Sequence, residues 1–280
     1  MPGFNLYQIA GGALLALILA SLAYAVRALS ISGSVAAFCL GTILFGLGGL
    51  SWAALLLAFF IPSSLLSFLF KQRKSKTEES YQKGSRRDAW QVLANGGIAG
   101  VAAIAHTISP GSLLPWLAAS AALAAASADT WATELGALSR KEPRLITSGK
   151  KVSRGTSGGI SIEGEGAALA GALTIAIVSA LLLPEGAGAS GGFSYPGWIL
   201  LVTAGGFIGC QVDSLFGATL QVIYYCPVCR KETEKHPLHS CGTETIYKQG
   251  IRWMNNDWVN LFCTASAVLI ASLLVFVTLA

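Results

Sequence analysis

The stretch ISGSVAAFCLGTILFGLGGLSWAALLLAFFIPSSLLSFLF, residues 31–70, contains no charged side chain. Crossing the hydrocarbon core of a bilayer takes about 20 apolar residues, so this stretch is long enough for two membrane-spanning helices. Gly46, Gly48 and Gly49, followed by Ser51, mark the point where one helix ends and the next begins. The sequence therefore predicts an integral membrane protein.

Apolar stretches of similar length continue through most of the chain, whose 280 residues are 53% hydrophobic and 12% charged. We predict an all-α fold, a polytopic transmembrane helix bundle of about eight spans in a single membrane domain over residues 1–280. One polar insertion, the cysteine- and histidine-containing loop 223–256, interrupts it. The predicted spans are about 7–28, 33–49, 51–70, 89–108, 113–137, 164–183, 197–222 and 257–279.

The basic residues lie in three polar loops between these spans. Of nineteen Lys and Arg residues, seven fall in 71–88, six in 139–163 and five in 223–256. Short basic loops stay in the cytoplasm, and only an even number of spans puts all three loops there, with both termini outside. We expect a multi-pass protein of the cell membrane. Its net charge of +5 then reflects topology and lipid headgroups rather than nucleic-acid binding, and no pattern indicates an oligomeric state.

Four acidic residues lie within or at the ends of spans. Asp129 and Glu134 fall late in the fifth span, Asp213 late in the seventh, and Asp257 opens the eighth. An intramembrane Asp costs about 2.5–3.5 kcal/mol on the insertion scale, so such residues usually face a cavity or a partner. The predicted topology puts all four in the cytoplasmic half, which favours a shared catalytic site over separate bonds to neighbouring helices.

Within this predicted site, Asp129, Asp213 and Asp257 are the expected Mg²⁺ ligands, since carboxylates bind Mg²⁺ and Mg²⁺ bridges phosphate oxygens. Glu134 lies five residues after Asp129, about 140° around a regular helix. The two therefore reach one site only if the helix is distorted or if Glu134 serves a different part of it.

A glycine-rich basic segment follows the fifth span in the order Lys-Lys-Val-Ser-Arg-Gly-Thr-Ser-Gly-Gly. Glycines let backbone N–H groups form a concave anion site, and Lys and Arg add positive charge. The segment lacks the Walker A order, and a flexible connector is the alternative interpretation. The predicted nucleotide- and phosphate-binding residues are Lys150, Lys151, Arg154, Gly155, Thr156, Ser157, Gly158, Gly159, Asn95 and Asn256.

The third polar loop contains C-P-V-C at 226–229, followed by His236, His239 and Cys241. Cytoplasmic thiols are kept reduced, so we expect a structural Zn²⁺ bound by Cys226, Cys229, Cys241 and one histidine rather than a disulfide. His239 is favoured over His236. A redox C-x-x-C or a loop without metal are the alternatives.

Five segments carry a family resemblance: RDAWQVLANGG (87–97), SADTWATELG (127–136), LITSGKKVSRGTSGGIS (145–161), VDSLFGATLQ (212–221) and GIRWMNNDWVN (250–260). Together they resemble an integral-membrane family that includes the phytyl-phosphate kinase of the vitamin E pathway. More distantly, D-x-x-x-x-E-L-G followed by K-K-x-x-x-G is similar to the CTP-dependent dolichol and phytol kinases and the CDP-diacylglycerol synthases. The distant resemblance implies CTP and Mg²⁺.

The resemblance implies a Mg²⁺-dependent isoprenyl-phosphate kinase that transfers a phosphoryl group from CTP or another NTP to a membrane-embedded lipid monophosphate such as phytyl phosphate. The alternatives are a CDP-lipid-forming cytidylyltransferase and an ion-coupled transporter. A transporter needs polar groups reachable from both sides of the membrane, whereas the predicted polar groups gather on one side.

Overall fold

The computed structural model describes residues 6–78, 86–183 and 194–279. The segment 79–85 of the first basic loop, and Glu185, lie outside the described residues. Within the described part the fold is mostly helical, as predicted. Its eight helices are α1 (Leu6–Ala25), α2 (Ile31–Gly48), α3 (Leu50–Glu78), α4 (Ala89–Ile108), α5 (Leu114–Gly136), α6 (Ile162–Leu181), α7 (Tyr195–Thr219) and α8 (Asn256–Leu279).

By length and composition, seven of the described helices can cross a membrane, and α5 is not among them. Its sequence is dominated by alanine, and it packs against α3, α4, α6, α7 and α8 at the centre of the bundle. A helix surrounded by other helices gains little from large apolar side chains and benefits from small residues that allow close approach. The low hydropathy of α5 therefore reflects its central position.

Small residues set the helix spacing around α5. A Cβ added at Gly206 of α7 would lie 2.6 Å from the Cβ of Ala124, and one added at Gly171 of α6 would lie 2.9 Å from the carbonyl oxygen of Ser127. These positions admit only glycine without a shift of backbone or neighbour. The core of the protein is therefore built from closely spaced helices rather than from large interlocking side chains.

The helix ends divide the bundle into two faces. The loop end carries the α1–α2 turn, the segment before α4, the loop 137–161 and the loop 220–255; the opposite end is called the far end. At the far end, the indole N–H of Trp116 donates to the Ser179 carbonyl at 3.1 Å, and that of Trp198 donates to the Ser179 hydroxyl at 2.9 Å.

Two small antiparallel sheets, which the sequence did not predict, lie in the loops. Strands β1 (Arg144–Leu145) and β2 (Gly159–Ile160) pair in the loop between α5 and α6. Strands β3 (Ile223–Cys226), β4 (Lys231–Thr233) and β5 (Ile246–Gln249) form a three-stranded sheet in the order β4-β3-β5 between α7 and α8. Both sheets fold back onto the loop end of the bundle.

Candidate active site

A polar cavity of about 340 Å³ opens at the loop end of the bundle. Its walls come from α3 to α8 and from the two loops that carry the sheets. Most of the residues predicted for the site line this one cavity. They are Asn95, Asp129, Glu134, Arg154, Gly155, Thr156, Ser157, Gly158, Gly159, Asp213, Asn256 and Asp257.

Asp129 of α5 and Asp213 of α7 line the same cavity, and the negative charge of Asp129 acts on Asp213. The Oδ1 atom of Asp213 is buried and has no hydrogen-bond partner among the described residues. A buried carboxylate oxygen without a donor costs free energy unless a cation or a ligand supplies the missing contact. Asp257, only 9% exposed at the start of α8, lines the same cavity.

Glu134 and Asp129 line the same cavity, and Glu134 is tied to α3. The Ser67 hydroxyl of α3 donates a hydrogen bond to Glu134 Oε1 at 2.7 Å. Glu134 is only 7% exposed. Since α5 ends at Gly136, Glu134 lies in its last turn, whereas Asp129 lies about two turns before its end, and both line the cavity.

The glycine-rich loop, residues 154–159, forms one wall of the cavity and packs closely against α7. Gly158 has a φ of +75°, and a Cβ added there would lie 2.5 Å from the Ser214 carbonyl oxygen and 2.6 Å from the Ala218 amide nitrogen. The glycine is therefore required both for the turn and for contact with α7, one residue beyond Asp213. Among the described residues, the amides of Gly155 and Ser157 have no acceptor, which leaves them available to an anion.

Lys150 and Lys151 are not among the residues that line the cavity. They belong to the short arm that folds back at β1, and the Lys151 ammonium lies 3.5 Å from the Glu142 carboxylate, with both side chains mostly exposed. Arg154, by contrast, lines the cavity, and its guanidinium donates to the Arg140 carbonyl at 3.1 Å. Of the three predicted cations, the structure thus brings only Arg154 to the cavity.

Sequence analysis missed a second cation, Arg87, which lines the cavity from the segment before α4. Its backbone pairs with the α1–α2 turn: the Arg87 amide donates to the Ala28 carbonyl and the Arg87 carbonyl accepts from the Ser30 amide, both at 3.0 Å. Burial lowers the pKa of Arg87, while attraction to Glu134 and Asp129 opposes that shift, and the guanidinium stays charged. The sequence did contain one signal: Asp88 and Gln91 form a capping pair that fixes the start of α4 immediately after Arg87.

Three further polar residues in the cavity were also missed because each lies in a separate loop or helix. The Ser157 hydroxyl donates to Gln221 Oε1 at 3.0 Å, and the Gln221 amide donates to Glu234 Oε1 at 2.8 Å. Glu165 of α6 accepts from the Gln211 amide at 2.6 Å. Because Glu234 follows β4, the cysteine loop contributes directly to the cavity wall.

The cysteine loop brings together the four predicted metal ligands. The ligand atoms of Cys226, Cys229, His239 and Cys241 all lie within 4.8 Å of one another. Cys226 Sγ and Cys241 Sγ are 3.6 Å apart, close to the edge of about 3.8 Å that a tetrahedron with Zn–S bonds of about 2.3 Å would have. His236 lies outside this group and stacks on Tyr224, with ring centroids 4.3 Å apart.

The thiol pKa values in this group are split. Contacts with the Thr243 hydroxyl and with His239 lower the pKa of Cys241 to about 5, whereas the hydrogen bond to Cys241 raises the pKa of Cys229 to about 11. Without a bound cation, Cys241 is therefore a thiolate that neighbouring groups stabilise through hydrogen bonds, while Cys229 keeps its proton. A cation would displace these protons, since metals bind the thiolate form.

Among the described residues, the four-ligand cysteine group is the one set of three or more such side chains whose ligand atoms are close enough to hold a single ion. Asp129, Asp213 and Asp257 line one cavity without closing into such a set. This arrangement fits Mg²⁺ that arrives with a nucleotide, because Mg²⁺ usually keeps several waters and binds through one or two carboxylates plus phosphate oxygens.

A bundle of membrane-length helices with a polar, carboxylate-lined cavity at one end defines the chain as a multi-pass integral membrane protein. The chain belongs to the family described as Integral membrane protein DUF92, whose model matches residues 14–268. This membership confirms the family resemblance drawn from the sequence motifs.

Three similar proteins illustrate the range of the family. Protein PGR of Arabidopsis thaliana is 31% identical over 90% of this chain and 92% of its own length. The uncharacterized membrane protein MJ0933 of Methanocaldococcus jannaschii is 35% identical over 70% of this chain and 76% of its own. Protein VTE6, chloroplastic, of Arabidopsis thaliana is 26% identical over 89% of this chain and 66% of its own. No solved structure matches the chain.

Proposed function

We propose that this protein is a membrane isoprenyl-phosphate kinase, which transfers a phosphoryl group from CTP or another nucleoside triphosphate to a lipid monophosphate such as phytyl phosphate. The observation that carries the proposal is the polar cavity at the loop end, where carboxylates face a glycine-rich loop and two arginines. The sequence resemblance to the family that includes phytyl-phosphate kinase supports the same assignment.

In the proposed reaction, an oxygen of the lipid monophosphate attacks the γ-phosphorus of the nucleotide. The bond from that phosphorus to the β,γ-bridging oxygen breaks, and the nucleoside diphosphate leaves with the electron pair. The acceptor is already largely ionised near neutral pH, since a phosphate monoester has a second pKa of about 6, so its attack requires no general base. The products are a lipid diphosphate and a nucleoside diphosphate.

The protein's part in such a transfer is positioning and charge stabilisation. Arg87 and Arg154 offer positive charge on two sides of the cavity, and the amides of Gly155 and Ser157 offer donors to phosphate oxygens. Asp213, whose buried Oδ1 has no hydrogen-bond partner in the described part of the chain, would hold Mg²⁺ with the nucleotide, together with Asp129 and Asp257. Bound Mg²⁺ would offset negative charge on the transferred group.

The cysteine group is proposed as a closed structural Zn²⁺ site. Three thiolates and one imidazole complete a tetrahedral set and leave no position for a substrate. The role is to fix the fold of the loop from which Glu234 reaches the cavity. A redox role is less suited to the geometry, because His239 Nδ1 lies 3.2 Å from Cys241 Sγ, where it completes a ligand set.

The membrane orientation is also proposed. The positive-inside rule places the basic loops, and with them the cavity, on the cytoplasmic side of the cell membrane. Nucleotide would then enter from the cytoplasm, and the lipid acceptor would enter from the bilayer.

The test is a product analysis with purified protein and Mg²⁺. A panel of nucleotides labelled at either the α- or the γ-phosphorus would be incubated with isoprenyl alcohols, isoprenyl monophosphates and phosphatidate. The kinase proposal predicts γ-label in an isoprenyl diphosphate. Incorporation of α-label into lipid, with release of pyrophosphate, would identify a cytidylyltransferase, and absence of labelled lipid from folded protein would contradict both enzyme assignments.

A further inference from the structure

An apolar slot runs between the first four helices and meets the polar cavity. The slot is lined by small and apolar residues of α1 and α2, by a short stretch of α3, and by the first turns of α4. Arg87, Gln91 and Asn95 line both the slot and the cavity. The two spaces therefore share one wall, and that wall is polar.

The slot is elongated along the helices. On α2 its lining runs from Ala37 to Phe45, about 12 Å of helix at 1.5 Å per residue. Its free volume of about 70 Å³ is much smaller than that of the cavity. Half-buried residues of its lining, such as Leu19 and Leu57, bring the slot to the surface of the bundle. It therefore suits part of a chain whose remainder continues along the outside of the protein.

The junction carries the charge that a phosphate-bearing lipid needs. The Arg87 guanidinium lies 5.8 Å from the centroid of the Phe59 ring, and both residues line the slot. A ligand with an anionic head and an apolar tail would place its head beside Arg87 in the cavity and its tail against the α3 aromatic residues.

We infer that this slot is the binding site for the tail of the lipid monophosphate, with Arg87 as the residue that binds its phosphate at the cavity entrance. The inference rests on the proposed function for the identity of the acceptor, and it adds where the acceptor binds: its tail lies in the slot and enters laterally between α1, α2, α3 and α4. A phospholipid in the slot is the competing occupant.

The test uses the full-length protein in nanodiscs and phytyl monophosphate that carries a photoreactive group on the chain near the phosphate. We expect cross-linked peptides from the slot-lining parts of α1, α2 or α4, or from Leu56–Phe60 of α3, and protection by unlabelled phytyl monophosphate. Cross-links confined to other helices, labelling that unlabelled phytyl monophosphate does not reduce, or full protection by equimolar phosphatidate would overturn the assignment.

A matched pair of variants adds a second measurement. Ala20 lines the slot and is buried, whereas Leu17 on the same helix is exposed. Ala20→Phe should weaken phytyl monophosphate binding by at least about tenfold while leaving isopentenyl monophosphate binding unchanged, and Leu17→Phe should change neither. Equal phytyl monophosphate binding by a folded Ala20→Phe protein would contradict the slot.

These outcomes separate the slot from the kinase proposal. Cross-linking within the slot without any phosphoryl transfer would keep the binding site and refute the activity. Phosphoryl transfer with cross-links only outside the slot would support the activity and refute the binding site.

Discussion

The Ser157 hydroxyl donates a hydrogen bond to Gln221 Oε1 across 3.0 Å, which ties the glycine-rich loop to the end of α7. The Gln221 amide then donates to Glu234 of the cysteine loop at 2.8 Å. Gln221 is only 2% exposed, and both bonds are partly buried. The two loops that carry the predicted phosphate and zinc sites are thus joined through a single side chain.

Replacing Gln221 by Leu should loosen both loops at once. The change removes both hydrogen bonds of the Gln221 side chain, each of which contributes about 0.5–1.5 kcal/mol. We expect faster amide hydrogen exchange in both 149–161 and 226–245, together with lower activity. Thr219→Val, at an exposed hydroxyl bonded within its own helix, is the control, and exchange that rises in one loop only would contradict the link.

The pair Arg154 and Lys151 tests which cation of the glycine-rich loop acts in the cavity. Arg154→Met should lower kcat/KM by about 10²-fold, the size of effect seen when a charge-stabilising donor is lost. Lys151→Met should stay within about threefold, because its ammonium pairs with Glu142 outside the cavity. Steady-state kinetics would decide, and an equal loss in both variants would restore the sequence-based prediction that Lys151 binds phosphate.

Gly158→Val is the substitution that the sequence alone suggests for testing the glycine-rich loop. In the structure, the added side chain would meet Ser214 and Ala218 of α7, so loss of activity would not distinguish a phosphate contact from a displaced loop. Thr156→Val separates the two, because it removes a hydroxyl from the cavity and keeps the shape. We expect a higher KM for nucleotide with an unchanged thermal midpoint, and an unchanged KM would remove Thr156 from the phosphate site.

The metal-binding loop offers a matched histidine pair. His239→Gln should lose bound Zn²⁺, whereas His236→Gln should retain one Zn²⁺ per chain, because His236 stacks on Tyr224 outside the ligand group. Elemental analysis of protein purified without chelator is the measurement. Retention of zinc by His239→Gln, or its absence from the unmodified protein, would contradict the predicted site.

Zinc affinity should fall as pH falls. Protons compete for the same sulfur atoms, and the high pKa of Cys229, about 11, means that binding near neutral pH must displace its proton. Below about pH 5 the Cys241 thiolate, whose pKa is about 5, is also lost. Competition with a zinc-chelating dye, measured from neutral pH down to below about pH 5, should show weaker Zn²⁺ binding at each lower pH. A Zn²⁺ affinity that does not change with pH would contradict thiolate ligation.

The basic loops predict the sidedness of the protein. Cysteine placed at Gly111, where a side chain would meet nothing within 4 Å, should react with an impermeant maleimide in intact cells. Cysteine at Glu142, whose side chain is 65% exposed, should react only after the membrane is opened. Both are compared with the unmodified chain to allow for its native cysteines, and the reverse pattern would invert the topology.

Much of the fold and of the site followed from local sequence. Uninterrupted apolar stretches predicted the helices, and the cost of an intramembrane charge marked Asp129 and Asp213. What the sequence could not provide was the packing that joins distant segments. Arg87 and Glu234 look like ordinary residues of basic loops, and only the β-bridge beside Leu29 and the turn after β4 bring them to the cavity. Lys151 was assigned to the cavity because sequence proximity to Arg154 does not reveal the fold-back at β1.

The most direct test of the central claim compares the unmodified protein with Asp213→Asn, which keeps the size of the side chain and removes its charge. With γ-labelled CTP or another labelled nucleotide, Mg²⁺ and phytyl monophosphate, the unmodified protein should form labelled phytyl diphosphate. Asp213→Asn should fold and bind lipid but lose at least about 10²-fold in rate, with a higher Mg²⁺ requirement. Glu142→Gln, which neutralises an exposed carboxylate away from the cavity, should remain active. Full activity of Asp213→Asn at limiting Mg²⁺, or no γ-label in lipid with any nucleotide, would contradict the account.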